Sequence, residues 1–139
     1  MYVDTSAYLA LLLDEEAWED LRREVDGAAV LSSVLLVLET KRNLVRLARE
    51  RAMTPDHYQA AVERVVADGE RFILREFTLD LCDAHPLPAV STPRSLDLVH
   101  LHTALWFHRA ERIDLFLTMD DGQRQSAREL GLPVARRHV

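Results

Sequence analysis

One cysteine, Cys82, is too few for an internal disulfide, which suits a reducing cytoplasm. Lysine is as scarce: Lys41 stands alone. No run approaches the ~18 continuous apolar residues of a membrane-spanning helix, so no membrane association is expected. The start lacks a basic segment followed by an apolar block, so no secretory signal is expected either. Six histidines are present without HExxH or CxxC, and His100 and His102, two apart on a predicted helix, point in different directions, which excludes a zinc site. An excess of positive charge is also missing. Seventeen basic and twenty-three acidic residues give a net charge of −6, against broad adhesion to nucleic acid. A local basic strip remains at Lys41, Arg42, Arg46, Arg49 and Arg51. It reads as a solvated helix face or as a surface for RNA phosphates, with Arg42 and Arg46 nearest the front.

What is present reads as one domain over 1–139, without repeat, linker or low-complexity tract. At 139 residues and 48% hydrophobic content the chain can bury a core unaided. "MYVDT", "AAVLSS", "RFILREF" and "IDLFLTM" read as short strands, and "LPVAR" as a last one. Between them lie helices over "SAYLALLLD", with Ser6 as its cap, and over "EEAWEDLRREVDG", where Trp18, Leu21 and Val25 share a stripe. Further helices cover 33–51, "MTPDHYQAAVERVVADG", with Thr54 as cap, Pro55 at the first position and Gly69 as the stop, "SLDLVHLHTALWFHRA" and "DDGQRQSARELG". A short helix carrying Cys82 as a small core residue precedes a stretch broken by Pro86, Pro88 and Pro93. Asp14, Glu15 and Glu16 read as a solvated first turn, and "ARRHV" as a ragged basic tail. Apolar strands alternating with helices predict an α/β sandwich with a parallel central sheet.

Four acids stand in apolar surroundings. Asp4 follows the first strand and either caps the next helix or faces a ligand at the carboxyl edge of the sheet. Asp120 follows the strand over 113–118. Asp121-Gly122 then supplies the turn, with Asp121 as the cap of the last helix, and this frees Asp120 unless it is a second turn residue. Glu39 directly follows "VLLVL" on a helix, where a carboxylate needs a partner, either Arg42 one turn on or something it coordinates. Asp97 sits in a first helical turn, where the helix dipole alone would favour it, with His100 one turn along. Together they place two acids after strand ends and two on helices flanking the same edge. Carboxylates gathered in this way repel, and a divalent cation relieves the repulsion. An all-oxygen set favours Mg²⁺ or Mn²⁺, and the matching chemistry is phosphodiester hydrolysis.

"YVDTSAYL", "SSVLLVLET", "SLDLVHLHTAL" and "LTMDDGQRQSARELGLPV" resemble the four blocks of PIN-domain ribonucleases, above all the VapC-type toxins of toxin–antitoxin pairs. The blocks span nearly the whole chain in order. The resemblance implies a PIN-like sandwich with sheet order 3-2-1-4-5. It also implies a metal-dependent endoribonuclease in which Asp4, Asp97 and Asp120 hold Mg²⁺ or Mn²⁺ and Glu39 completes the site as ligand or general base. Ser6 and Thr118 would support the carboxylates. A homodimer, a VapB-type antitoxin that blocks the site and a cytoplasmic location follow from the same likeness. Two other readings stand beside it. A non-catalytic α/β interaction module would use the acids as caps. A haloacid-dehalogenase-like phosphatase would need an acid where Ser6 stands and a lysine in a later block.

Overall fold

The computed structural model describes residues 1–13, 17–83, 87, 89–91 and 94–135. The acids Asp14, Glu15 and Glu16, the prolines Pro86, Pro88 and Pro93 and the tail after residue 135 lie outside the described residues. Among the described residues the order is β1 (Tyr2–Val3), α1 (Thr5–Leu13), α2 (Glu19–Asp26), β2 (Leu31–Ser33), α3 (Leu35–Arg49), α4 (Pro55–Arg71), β3 (Ile73–Arg75), α5 (Leu79–Asp83), α6 (Ser95–Ala110), β4 (Phe116–Leu117) and α7 (Asp121–Glu129). No described helix is long and apolar enough to cross a membrane.

The strands pair in parallel in the order β3-β2-β1-β4. A parallel sheet is covered on both faces, so successive strand residues must both be apolar. Tyr2 and Phe116 face one core, with Leu101, Ala104, Leu105 and Ala127 from α6 and α7. Val3 and Leu117 face the other, with Tyr8, Leu11, Leu36, Leu44 and Val65 from α1, α3 and α4. Tyr2 and Phe116 are register partners on adjacent strands, and their rings stack at 5.3 Å.

Among the described residues the sheet has four strands, not the five expected. At the fifth position there is one bridge, Phe116 to Val134. Phe116 N–H donates to the Pro133 carbonyl at 2.6 Å, and no further strand pairing follows among the described residues. The four strands are also shorter than their apolar runs, because only part of each run is paired.

Three further expectations are corrected. Gly69 does not stop α4, which continues to Arg71 and ends where Phe72 turns extended. Cys82 is exposed; α5 buries only Leu81. "VLLVL", five apolar residues in a row that read as burying most of a helix circumference, does not do so: α3 turns Leu36 inward and leaves Leu38 65% exposed. Thr54 does cap α4, accepting from His57 N–H at 3.2 Å, with Pro55 in the first turn.

Helix α3 closes with Arg51 N–H on the Ala48 carbonyl and Ala52 N–H on the Leu47 carbonyl, a pattern that needs a left-handed residue at 51. Arg51 supplies it at φ 55°, strained for a residue with a Cβ. Arg51→Gly should therefore raise stability by about 0.5–1 kcal/mol. The check is a higher urea midpoint at unchanged m value.

Candidate active site

The carboxyl ends of β1 and β4 lie side by side, and the chain departs from them in different directions: β1 leads into α1, β4 into α7. This is the switch point of the sheet, where open α/β sheets leave a crevice. A cavity of about 360 Å³ opens there. Asp4, Glu39, Asp97 and Asp120 all line it, together with Thr5, Ser6, Asn43, Arg94 and His100. The four acids come from four separate chain segments, brought to one place by the crossover topology.

Asp4 leaves β1 and enters α1. Its Oδ1 accepts from Ala7 N–H at 3.0 Å and from the Ser6 hydroxyl at 2.7 Å. The cap of α1 is thus Asp4, and the expectation that Ser6 is the cap is corrected. Ser6 instead joins the two strand ends. Its Oγ accepts from Met119 N–H at 3.0 Å and contacts Thr118 Oγ1 at 3.1 Å, and Thr118 accepts from Asp120 N–H at 3.1 Å. Asp4 is only 3% exposed. Burial pushes its carboxyl above the ordinary carboxylate range, and the nearby His100 and the hydrogen bonds it accepts offset this only in part.

Asp120, not Asp121, caps α7: its Oδ1 accepts from Gln123 N–H at 2.9 Å. That bond, ahead of the Arg94 guanidinium, holds the Asp120 carboxyl below the ordinary range. Asp121 pairs with Arg124 at the surface. Capping does not use up Asp120, because its Oδ2 faces Arg94. The buried Gln123 ties the neighbouring elements together, its side-chain N–H donating to the Asp97 carbonyl at 2.9 Å.

Glu39 does not pair with Arg42 among the described contacts. Its Oε1 accepts from the Thr5 hydroxyl at 2.9 Å and lies 3.0 Å from His100 Nε2. Thr5 Oγ1 is also 3.0 Å from that nitrogen, and the Tyr2 hydroxyl is 2.8 Å from Nδ1. One proton assignment satisfies every group. Thr5 donates to Glu39, Nε2–H points between Glu39 and Thr5, and the Tyr2 O–H donates to Nδ1. Burial holds the Tyr2 phenol well above its ordinary range, which keeps it a donor. Tyr2→Phe should leave Nδ1 buried without a partner and cost about 1–3 kcal/mol. Chemical denaturation of that variant is the check.

Among the described residues, no three His, Cys, Asp or Glu side chains converge closely enough, as they stand, to hold a metal ion. The donor set nevertheless suits a hard cation. Four carboxylates of four segments border one cavity, and a positive group, the Arg94 guanidinium, already spans two of them. Arg42 and Arg46 stay exposed on α3. Arg46 is engaged by Glu50 and Asn43.

Thr5, Asn43 and Arg94 also line the cavity and Tyr2 reaches it through His100, though no sequence motif marks them. Thr5 follows Asp4 directly and Tyr2 lies two residues before it, where alternation along β1 hides it in the core. Arg94 falls three residues before Asp97, a helical spacing that gives a weak signal next to a proline-rich stretch.

The protein is thus a parallel α/β sandwich with four carboxylates bordering the cavity at its switch point. The PIN domain family model matches residues 1–129, and this chain belongs to the PIN domain family, whose members are in general metal-dependent nucleases. No curated protein matches the chain.

Proposed function

We propose that this protein is a Mg²⁺- or Mn²⁺-dependent endoribonuclease, the VapC-type toxin of a toxin–antitoxin pair. The observation that carries the reading is the lining of one switch-point cavity by Asp4, Glu39, Asp97 and Asp120 in a chain of the PIN family. When bound, the divalent cation lowers the pKa of an attacking water and neutralises charge on the phosphate. Asp4, Asp97 and Asp120 are the oxygen donors that would hold it. Ser6 and Thr118 orient the Asp4 and Asp120 backbone and side-chain groups. Glu39, steadied through one oxygen by Thr5 and His100, either completes the donor set or accepts the proton of the attacking water. Arg42 and Arg46, on the helix that carries Glu39, would meet the RNA backbone.

The capping bonds of Asp4 and Asp120 favour a second reading, a binding module whose acids only close helices. It fails to account for Glu39 and Asp97, which border the same cavity and cap no helix among the described contacts. The phosphatase reading has no support from the family match.

A VapB-type antitoxin inserting a basic side chain into this acidic cavity, a homodimer and a cytoplasmic location complete the proposal. The test is cleavage of single-stranded RNA and of DNA of the same sequence by the purified chain. RNA cleavage that needs Mg²⁺ or Mn²⁺ and stops with EDTA is the expected result. Cleavage indifferent to chelation, or none with any divalent cation, overturns the reading.

A further inference from the structure

We propose that Arg94 is an internal counter-cation that occupies the Asp97–Asp120 part of the site and must leave before a divalent ion can take those oxygens. The inference rests on the metal-dependent reading above. Arg94 Nε donates to Asp97 Oδ2 at 2.7 Å and Arg94 Nη2 donates to Asp120 Oδ2 at 2.8 Å. One guanidinium thus takes an oxygen from each of two acids contributed by different elements, as a bridging cation would. Its planar fork allows the two contacts at once, which a lysine ammonium cannot match in geometry.

The arrangement is reversible by construction. The Arg94 backbone is anchored, its carbonyl accepting from Leu98 N–H in the first turn of α6 at 2.9 Å. Its side chain is 66% exposed, against 20% and 34% for those of Asp97 and Asp120. The guanidinium can therefore turn out into water about its own side-chain bonds while the backbone stays in place. Exposed pairs of this kind are weak enough to be displaced. Asp4 and Glu39 are held differently, by buried hydroxyl, imidazole and backbone donors that need not move. Half of the site is set in advance, and the other half is neutralised until a cation competes for it. The consequence is a threshold: Arg94 lowers the apparent affinity for the divalent ion and keeps Asp97 and Asp120 from repelling each other without it.

The test measures Mn²⁺ binding to the full chain by the EPR signal of free Mn²⁺, independently of any cleavage. Wild type, R94Q and R94K are compared, with D4N as the control for site-specific binding. R94Q should bind Mn²⁺ about three- to tenfold more tightly than wild type. R94K, which keeps the charge but not the fork, should fall between them. R94Q that binds equally or more weakly than wild type overturns the inference and leaves the metal-dependent reading standing. If neither wild type nor R94Q shows binding that depends on Asp4, the reading itself falls. The thermal shift on adding Mn²⁺ should be larger for R94Q than for wild type, and an equal or smaller shift counts against the inference.

Discussion

Asp4→Asn is expected to abolish RNA cleavage and, in the presence of a chelator, to raise the melting temperature. Both effects have one origin. Asp4 is a buried carboxylate at the meeting of β1 and β4, and burial raises its pKa above the ordinary value. At neutral pH the folded protein therefore bears the cost of a desolvated anion. The sign follows from linkage: between the ordinary carboxylate pKa and the raised one, the folded state binds more protons than the unfolded state, so stability falls as pH rises. Asparagine keeps the oxygen that accepts from Ala7 N–H and Ser6 and removes the charge. The gain from Asp4→Asn should be full at neutral pH and vanish in acid below the ordinary carboxylate range. Activity should drop at least about 100-fold, since even a residue that only orients a metal ligand costs 10–100-fold. Asp97→Asn should lose activity to a similar degree. Melting curves in EDTA at neutral and acid pH, set beside cleavage rates with Mn²⁺, decide the matter. An Asp4→Asn variant that is less stable at neutral pH and still cleaves would refute the account of the site.

The largest stability effect is expected far from that cavity, at Asp68. Its carboxylate, with the side chain 4% exposed, accepts from the Tyr8 hydroxyl at 2.8 Å and from Arg64 Nε at 3.1 Å. Arg22 Nη2 lies 3.4 Å away, on a side chain only 9% exposed. The group thereby ties α1, α2 and α4 together. Asp68→Ala removes the anion and leaves the Arg22 guanidinium buried, with only the half-exposed Asp26 at 3.3 Å as a partner. It also strands the Tyr8 hydroxyl, whose proton burial and then the carboxylate hold in place. Breaking a buried pair from one side costs about 3–5 kcal/mol. For a domain of this length that lowers the melting temperature by roughly 10 °C or more. Replacing Asp68 and the buried Arg22 together, Asp68→Leu with Arg22→Met, should lose less, because the buried guanidinium goes with its carboxylate while Arg64 and Arg71 are partly exposed and keep Asp26; the Tyr8 hydroxyl stays stranded. A double variant as unstable as Asp68→Ala alone would show that packing rather than charge governs the site.

These two acids illustrate what a sequence can and cannot disclose. Asp68 lies in "VVADGER", where nothing distinguishes it from a solvated helix residue. Its weight comes from Arg22 and Tyr8, forty-six and sixty residues away along the chain. Asp4 was legible because a carboxylate directly after a buried strand is unusual enough to demand a partner.

By itself the sequence determined the alternation of strands and helices, the span of α6 from 95 to 110 and the four candidate acids, because these depend on local periodicity and on residue chemistry at element ends. It also carried the four family blocks. Only the tertiary structure decided the rest. Asp120 rather than Asp121 caps α7, Ser6 binds the two strand ends instead of capping α1, and the sheet has four strands among the described residues. It also set the partners of the acids, His100 and Thr5 for Glu39 and Arg94 for Asp97 and Asp120. The Ser6, Glu39 and Arg94–Asp120 contacts join segments brought together by the parallel crossover, and a contact between distant residues leaves no periodic trace in either segment alone. The Asp120 cap and the Arg94–Asp97 pair are local, but two adjacent acids and an arginine beside a helix start leave the choice of partner open in the sequence.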